Sequence, residues 1–306
     1  MDKAANANGV GITLGALLTE TRNPATEGID RLSTLEMLTV INQEDQTVAL
    51  AVERELGNIA QAVDAISERF GRGGRLFYVG AGTSGRLAVL DASECPPTFS
   101  VAPDLVQGVI AGGDRALRLS SEHSEDSAEE GAGDLKALGF GENDTLVGIA
   151  ASGRTPYVLG AMAYARELGA LTVGLSCVPC SEVARAAEIA ITPATGAEVI
   201  TGSTRMKAGT ATKLVLNMLS TGVMVKTGAV YGNLMVNVRP TNAKLVDRAR
   251  RIIMEASGCD YETATRLLDE AGSVKTAIVM QRLGVGLEAA EAKLDEAAGR
   301  LAVALG

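Results

Sequence analysis

The chain has 306 residues, a formal net charge of −9, 46% hydrophobic residues and only 3% aromatic ones. That length accommodates one large domain and a smaller one around an ample core. The acidity removes the electrostatic basis for nucleic-acid binding, and the aromatic scarcity removes the stacking platforms that single strands need. One CxxC, Cys177-Val178-Pro179-Cys180, and a single histidine, His123, do not make a zinc site or a multi-histidine centre, so no metal is expected.

The opening residues, MDKAANANGVGITLGALLTE, have neither a basic start nor a long apolar run. They predict no secretory leader, a cytoplasmic location and a flexible extension over residues 1–18. No stretch reaches the roughly 20 apolar residues of a membrane helix. The nearest, 214–230, is broken by Asn217, Lys226 and two glycines. Ser33-Thr34-Leu35-Glu36 is a capping box and predicts a helix start. A second helix is expected after Asp45, with Val48, Ala51, Ile59, Ala62, Val63 and Ile66 at helical spacing, ending at Gly71-Arg72-Gly73-Gly74.

From there short β-rich runs alternate with helical stretches. The expected strands are 76–79, 106–110, 145–149, 171–175 and 188–192, with helices beginning near Ser84, Ser121, Thr155 and Ser181. Such alternation predicts an α/β fold with a doubly wound parallel sheet covered on both faces. Its ligand site should lie beyond the carboxyl ends of the strands, near a topological switch point. A long apolar helix from Thr204 to about Lys226 reads as a core element or a contact between subunits. After Pro240 charged helices, about 242–256, 261–271, 273–282 and 287–304, suggest a small helical domain. The expected division is therefore 1–18, 19–240 and 241–306.

Three loops share one chemistry: Gly80-Ala81-Gly82-Thr83-Ser84-Gly85-Arg86, Ala151-Ser152-Gly153-Arg154-Thr155-Pro156 and Thr201-Gly202-Ser203-Thr204-Arg205. Each places hydroxyls and glycine at a predicted helix start, where open backbone N–H groups and the helix dipole favour an anion. Singly, each also reads as an ordinary N-cap. Together they describe a cradle for a phosphorylated sugar, with Gly82, Thr83, Ser84, Ser152, Gly153, Thr155 and Ser203 as binding residues. The first loop also matches GxGxxG, but the acidic residue that a dinucleotide fold expects at the end of the next strand comes only late, at Asp114.

The carboxylates suggest acid–base chemistry. Glu94 precedes Cys95-Pro96-Pro97, a pair of prolines expected to end the helix and hold Glu94 in dry surroundings near the sheet. Glu122 and Glu125 share a helical face beyond strand 106–110. A solvated glutamate and an acidic first helical turn remain the plain alternatives. Glu198 could accept sugar hydroxyls, and Lys207 could neutralise phosphate or a developing enolate.

Residues 76–86 with 91–97, 148–156 and 202–210, together with Thr19-Glu20-Thr21-Arg22-Asn23-Pro24 and Tyr231-Gly232-Asn233-Leu234-Met235-Val236, resemble the N-acetylmuramic acid 6-phosphate etherase family. The resemblance covers about residues 18–285. It implies a sugar isomerase (SIS) type three-layer α/β/α domain with a small ubiquitin-associated-like helical unit after it. The implied activity is cleavage of a lactyl ether by elimination and hydration, without an organic cofactor. It places the two catalytic glutamates on Glu94, as acid on the ether oxygen, and Glu125, at the carbon proton. Glu122 is a substitute for Glu125, because residues 114–123 match only loosely. The regulatory protein of glucokinase shares similar loops on a longer chain with two such domains. A sensor and an aldose–ketose isomerase therefore stand as rival readings, and a homodimer would supply the second half.

Overall fold

The computed structural model describes residues 19–119 and 122–306; the extension expected at 1–18 and the helix start expected at Ser121 lie outside them. Helix α1 (Thr34–Glu53) opens on the expected capping box, with Ser33 accepting the Glu36 N–H and the Glu36 carboxylate accepting the Ser33 N–H. It does not break at Asp45. That side chain is exposed, so the charge is solvated in mid-helix, and the turn comes at Arg54–Glu55 before α2 (Leu56–Gly71).

The sheet follows as β1 (Leu76–Gly80), α3 (Gly82–Phe99), β2 (Val106–Ile110), α4 (Glu122–Glu125), α5 (Ala128–Ala137), β3 (Thr145–Ile149), α6 (Pro156–Glu167), β4 (Leu171–Leu175), α7 (Glu182–Ala186) and β5 (Ile189–Ile191). All neighbours are parallel, in the order β2-β1-β3-β4-β5. The doubly wound sheet is thus present, with β5 shorter than its sequence pattern. The order reverses between β1 and β3, which opens a crevice at their carboxyl ends.

Alternation along β1 sorts the core into two layers. Leu76 and Tyr78 join Ile66 of α2, Ala88 of α3 and Leu216 of α8 (Lys207–Lys226), while Phe77 and Val79 join Leu135 of α5 and Tyr157 and Met162 of α6. Helix α8 is buried along its length against α1, α2 and α3. It begins at Lys207 and not at Thr204, because the third loop remains a turn through Met206.

Helix α3 also departs from expectation. It continues through Pro96 and Pro97 to Phe99 and stops at Ser100, whose φ is 54°. Prolines this near the end remove only the bonds to the Ala92 and Ser93 carbonyls, and Ser93 is exposed to water. A short hairpin, β6 (Val230–Tyr231) and β7 (Leu234–Met235), leads to α9 (Ala243–Ser257), α10 (Tyr261–Ala271), α11 (Val274–Leu283), α12 (Leu287–Glu296) and α13 (Leu301–Leu305). These helices bury a separate apolar cluster that also takes in Val236 and Val238. No helix among the described residues is long and apolar enough to cross a membrane.

Candidate active site

The crevice at the switch point is lined by Gly82, Thr83 and Ser84 from the first loop and by Ser152 and Thr155 from the second. Thr204 of the third loop, Gly209 and Thr212 of α8, and two carboxylates, Glu20 and Glu125, complete it. The first loop reaches this position because β1 passes into α3 with almost no turn. A Cβ on Gly85 would stand 2.5 Å from the Ile110 side chain and 2.7 Å from the Gly80 carbonyl, so only glycine permits that approach.

The plain capping alternative fails at these loops. Helices α3, α6 and α8 have Ala81, Thr155 and Met206 at their N-caps, and none of these three residues makes a side-chain capping bond. Elsewhere Ser33, Ser127, Ser181, Asn242, Asp260 and Ser273 all cap their helices conventionally. Thr155 instead donates its hydroxyl to Glu125 Oε1 at 3.3 Å. Among the described residues the hydroxyls of Thr83, Ser84 and Ser152 have no hydrogen-bond partner in the chain, which leaves them and the N-termini of α3 and α6 open to a ligand.

The expected site residues divide accordingly. Gly82, Thr83, Ser84, Ser152, Thr155 and Glu125 converge on the crevice. Glu198 is fully buried, and its two oxygens accept the N–H groups of Lys207 and Ala208, each at 2.9 Å. It caps α8, and neither oxygen is open to a sugar hydroxyl. Lys207 points away from the crevice, its Nζ 2.6 Å from Glu44 Oε2, and this partner draws the Glu44 carboxyl below its ordinary range. Gly153 forms a turn of φ 72° beside the crevice, and Ser203 does not line it, its neighbour Thr204 doing so instead.

Glu94 is exposed on α3, in contrast to the dry position expected from the prolines. It lies twelve residues beyond Gly82, about 18 Å along the helix and away from the carboxyl edge of the sheet. The side chain of Glu122 lies outside the described residues. Cys177 of the CxxC is buried, and burial pushes its thiol up to about 12, as befits a packing residue; Cys180 is exposed and unpaired.

Among the described residues no lysine or arginine lines the crevice. Arg86 is turned onto the carbonyls of Ala116 and Leu117, and Arg154 onto Glu182. An anion held here would rest on backbone N–H groups and hydroxyls alone. Two residues of the site were not among the expected binding residues: Thr212 carries no local pattern that marks it, and Glu20 is marked only by the family resemblance of residues 19–24. Glu20 arrives from a segment pinned by Asn23, which donates to Glu44 at 2.8 Å, and by Thr26, which donates to the Val199 carbonyl at 2.8 Å.

Comparison with known proteins adds the lineage. Residues 58–166 match the model of the glucokinase regulatory protein N-terminal SIS domain. The chain is 59% identical over 289 residues to an N-acetylmuramic acid 6-phosphate etherase of Aeromonas hydrophila, covering 94% of this chain and 97% of that one. It is equally 59% identical over 295 residues to an Aliivibrio fischeri protein of the same name, covering 96% and 98%. Among solved structures, a phosphoheptose isomerase of Francisella tularensis superposes with a TM-score of 0.49 at 20% identity, covering 63% of this chain and 100% of that one.

Proposed function

The chain belongs to the N-acetylmuramic acid 6-phosphate etherase family, and from that premise we propose that the crevice binds the open-chain form of this sugar phosphate and cleaves its D-lactyl ether. The observation that carries the reading is the set of open hydroxyls and helix N-termini beside Glu125. The phosphate sits on the N-termini of α3 and α6, with Thr83, Ser84 and Ser152 donating to its oxygens. The sugar chain then passes Glu125.

Glu125 takes the proton from the carbon next to the aldehyde. The electron pair left behind forms the new double bond to the adjacent carbon, whose bond to the ether oxygen breaks. An acid protonates that oxygen, and D-lactate departs. Water adds to the unsaturated aldehyde at the carbon that lost lactate, and a proton returns to the neighbouring carbon, giving N-acetylglucosamine 6-phosphate. An alkoxide is a poor leaving group and an aldehyde α-proton is weakly acidic, so both a positioned base and a positioned acid are needed, each contributing on the order of 10²–10⁴ in rate.

Glu94 supplies the acid from a second copy. Within one protomer its distance down α3 separates it from the crevice, while Leu90, one turn earlier on the same face, is 53% exposed and offers apolar surface to a partner. A cytoplasmic homodimer with no metal or organic cofactor is the form proposed.

The test is turnover in heavy-oxygen water. Label in N-acetylglucosamine 6-phosphate and none in lactate is expected, because the carbon–oxygen bond on the sugar side breaks. Label in lactate would sink elimination. A ketose product without lactate would favour an isomerase, and binding without turnover would favour a sensor.

A further inference from the structure

We infer that Glu20 is a substrate-binding residue of the etherase site, accepting a hydrogen bond from a sugar hydroxyl through its carboxylate. The inference rests on the sugar phosphate reading above. Glu20 lines the same crevice as Glu125 and the phosphate-cradling loops. Its Oε2 lies against the third loop, 3.1 Å from where a Cβ on Gly202 would stand. Among the described residues its carboxylate has neither a hydrogen bond nor an ion pair, although it is only partly exposed.

The placement is built. Thr19 is fully buried, Asn23 bonds Glu44 and reaches the Ala197 carbonyl at 3.4 Å, and Thr26 bonds the Val199 carbonyl. The segment that carries Glu20 is therefore fastened to the strand-to-helix connection just beyond Glu20. A carboxylate held open at a crevice without a cation needs a donor from the ligand. The phosphate group of a sugar phosphate, once doubly ionised, carries no O–H donor and repels a carboxylate, so Glu20 faces the hydroxyl-bearing part of the chain.

This role separates two ligands that share the same phosphate. A charge-assisted hydrogen bond is roughly twice as strong as a neutral one, and losing it weakens binding by about tenfold or more. Inorganic phosphate seated on the helix N-termini lacks the sugar chain that carries those hydroxyls, and removal of a nearby negative charge leaves its affinity unchanged or improves it.

The experiment is calorimetric titration of the full chain and its Glu20→Gln variant with N-acetylglucosamine 6-phosphate and, separately, with inorganic phosphate. The expected result is at least a tenfold rise in Kd for the sugar phosphate and none for phosphate. Equal weakening of both ligands would assign Glu20 to the architecture of the segment and overturn the inference. So would unchanged binding of both, or a collapse of kcat with binding intact. Should Glu20→Gln fail to fold, Glu20→Asp carries the same comparison, since it keeps the charge but withdraws it by one methylene. A parent chain that binds phosphate but not the sugar phosphate would refute the site reading itself, and this inference with it.

Discussion

Glu198 and Lys207 are joined through the backbone and not through their charges: the buried carboxylate accepts the Lys207 amide hydrogen at 2.9 Å while the Lys207 ammonium rests on Glu44 at 2.6 Å. One residue thus closes the N-terminus of α8 from inside the protein, and the other ties that terminus to α1. Replacing Glu198 by Ala leaves the Lys207 and Ala208 N–H groups without acceptors in the core. A loss on the order of 2–4 kcal/mol is expected from two uncompensated donors. Urea denaturation should show it as a lower midpoint. A variant with parental stability and a raised KM would instead restore Glu198 as a sugar ligand.

The Glu44–Lys207 pair sets a pH dependence. Lys207 is the main cause that lowers the Glu44 pKa from 4.5, with Asn23 adding to it against the opposing effect of partial burial. A carboxylate whose folded pKa is depressed contributes stability that is present above its unfolded value and lost as pH falls through the folded one. Glu44→Gln also strands an ammonium that is 4% exposed, so a cost on the order of 3 kcal/mol is expected at pH 7. Thermal melts of parent and variant should differ by a constant amount from neutrality down to about pH 5.5 and converge below pH 4.5. A difference that does not change across that range would show the pair to be silent.

A site shared between two protomers, as proposed, makes a prediction that a self-contained one does not. Glu94→Gln and Glu125→Gln should each lose on the order of 10²–10⁴ in kcat with sugar phosphate binding largely kept. When the two inactive variants are mixed and allowed to exchange subunits, half the dimers pair unlike chains. Each such dimer rebuilds one intact site, so about a quarter of parental activity is expected if Glu94 acts across the interface. If both glutamates serve the same protomer, no mixture recovers activity.

Much of the fold was legible because its signals are local. The five strands are short apolar runs between turn residues, and Ser33 with Glu36 announces its helix by a reciprocal bond that needs no distant partner. The misreadings came where tertiary context overrides local preference. Asp45 looked like a break but is a solvated side chain within α1, and Pro96 and Pro97 looked like a stop but sit in the last turn of α3, where few bonds are left to lose. In the site, the loops could be read from their hydroxyls and glycines, since strand-to-helix turns expose what they carry. Glu198 and Lys207 could not, because their partners lie nine or more residues away and turn polar groups that suit a ligand toward the core. Glu20 lies in a segment that carries the family resemblance, but its place in the site was not legible for the converse reason. Nothing in its own segment shows that Asn23 and Thr26 fasten it to residues 197–199.

Gly153 separates a structural requirement from a binding one in the second loop. Its φ is 72°, and a Cβ there would lie 2.2 Å from both the Cβ and the Oγ of Ser181. Ser181 cannot simply rotate away, because its hydroxyl caps α7 through the Ala184 N–H at 3.2 Å and meets the Ser176 hydroxyl at 2.9 Å. Gly153→Ala therefore combines left-handed backbone strain with overpacking, and a loss of roughly 2–5 kcal/mol is expected. Ser152→Ala alters the adjacent residue without either penalty and should keep stability within about 0.5 kcal/mol. If Ser152 donates to the phosphate as proposed, the effect of the variant should appear as weaker binding of both the sugar phosphate and inorganic phosphate, about tenfold for a hydrogen bond to a charged group. Chemical denaturation and titration on the two variants give the contrast directly: Gly153→Ala fails first in the denaturation curve, Ser152→Ala in the binding isotherm. A Gly153→Ala chain with the parental midpoint would mean that the 153–181 contact relaxes, and the glycine would then have to be explained by the ligand.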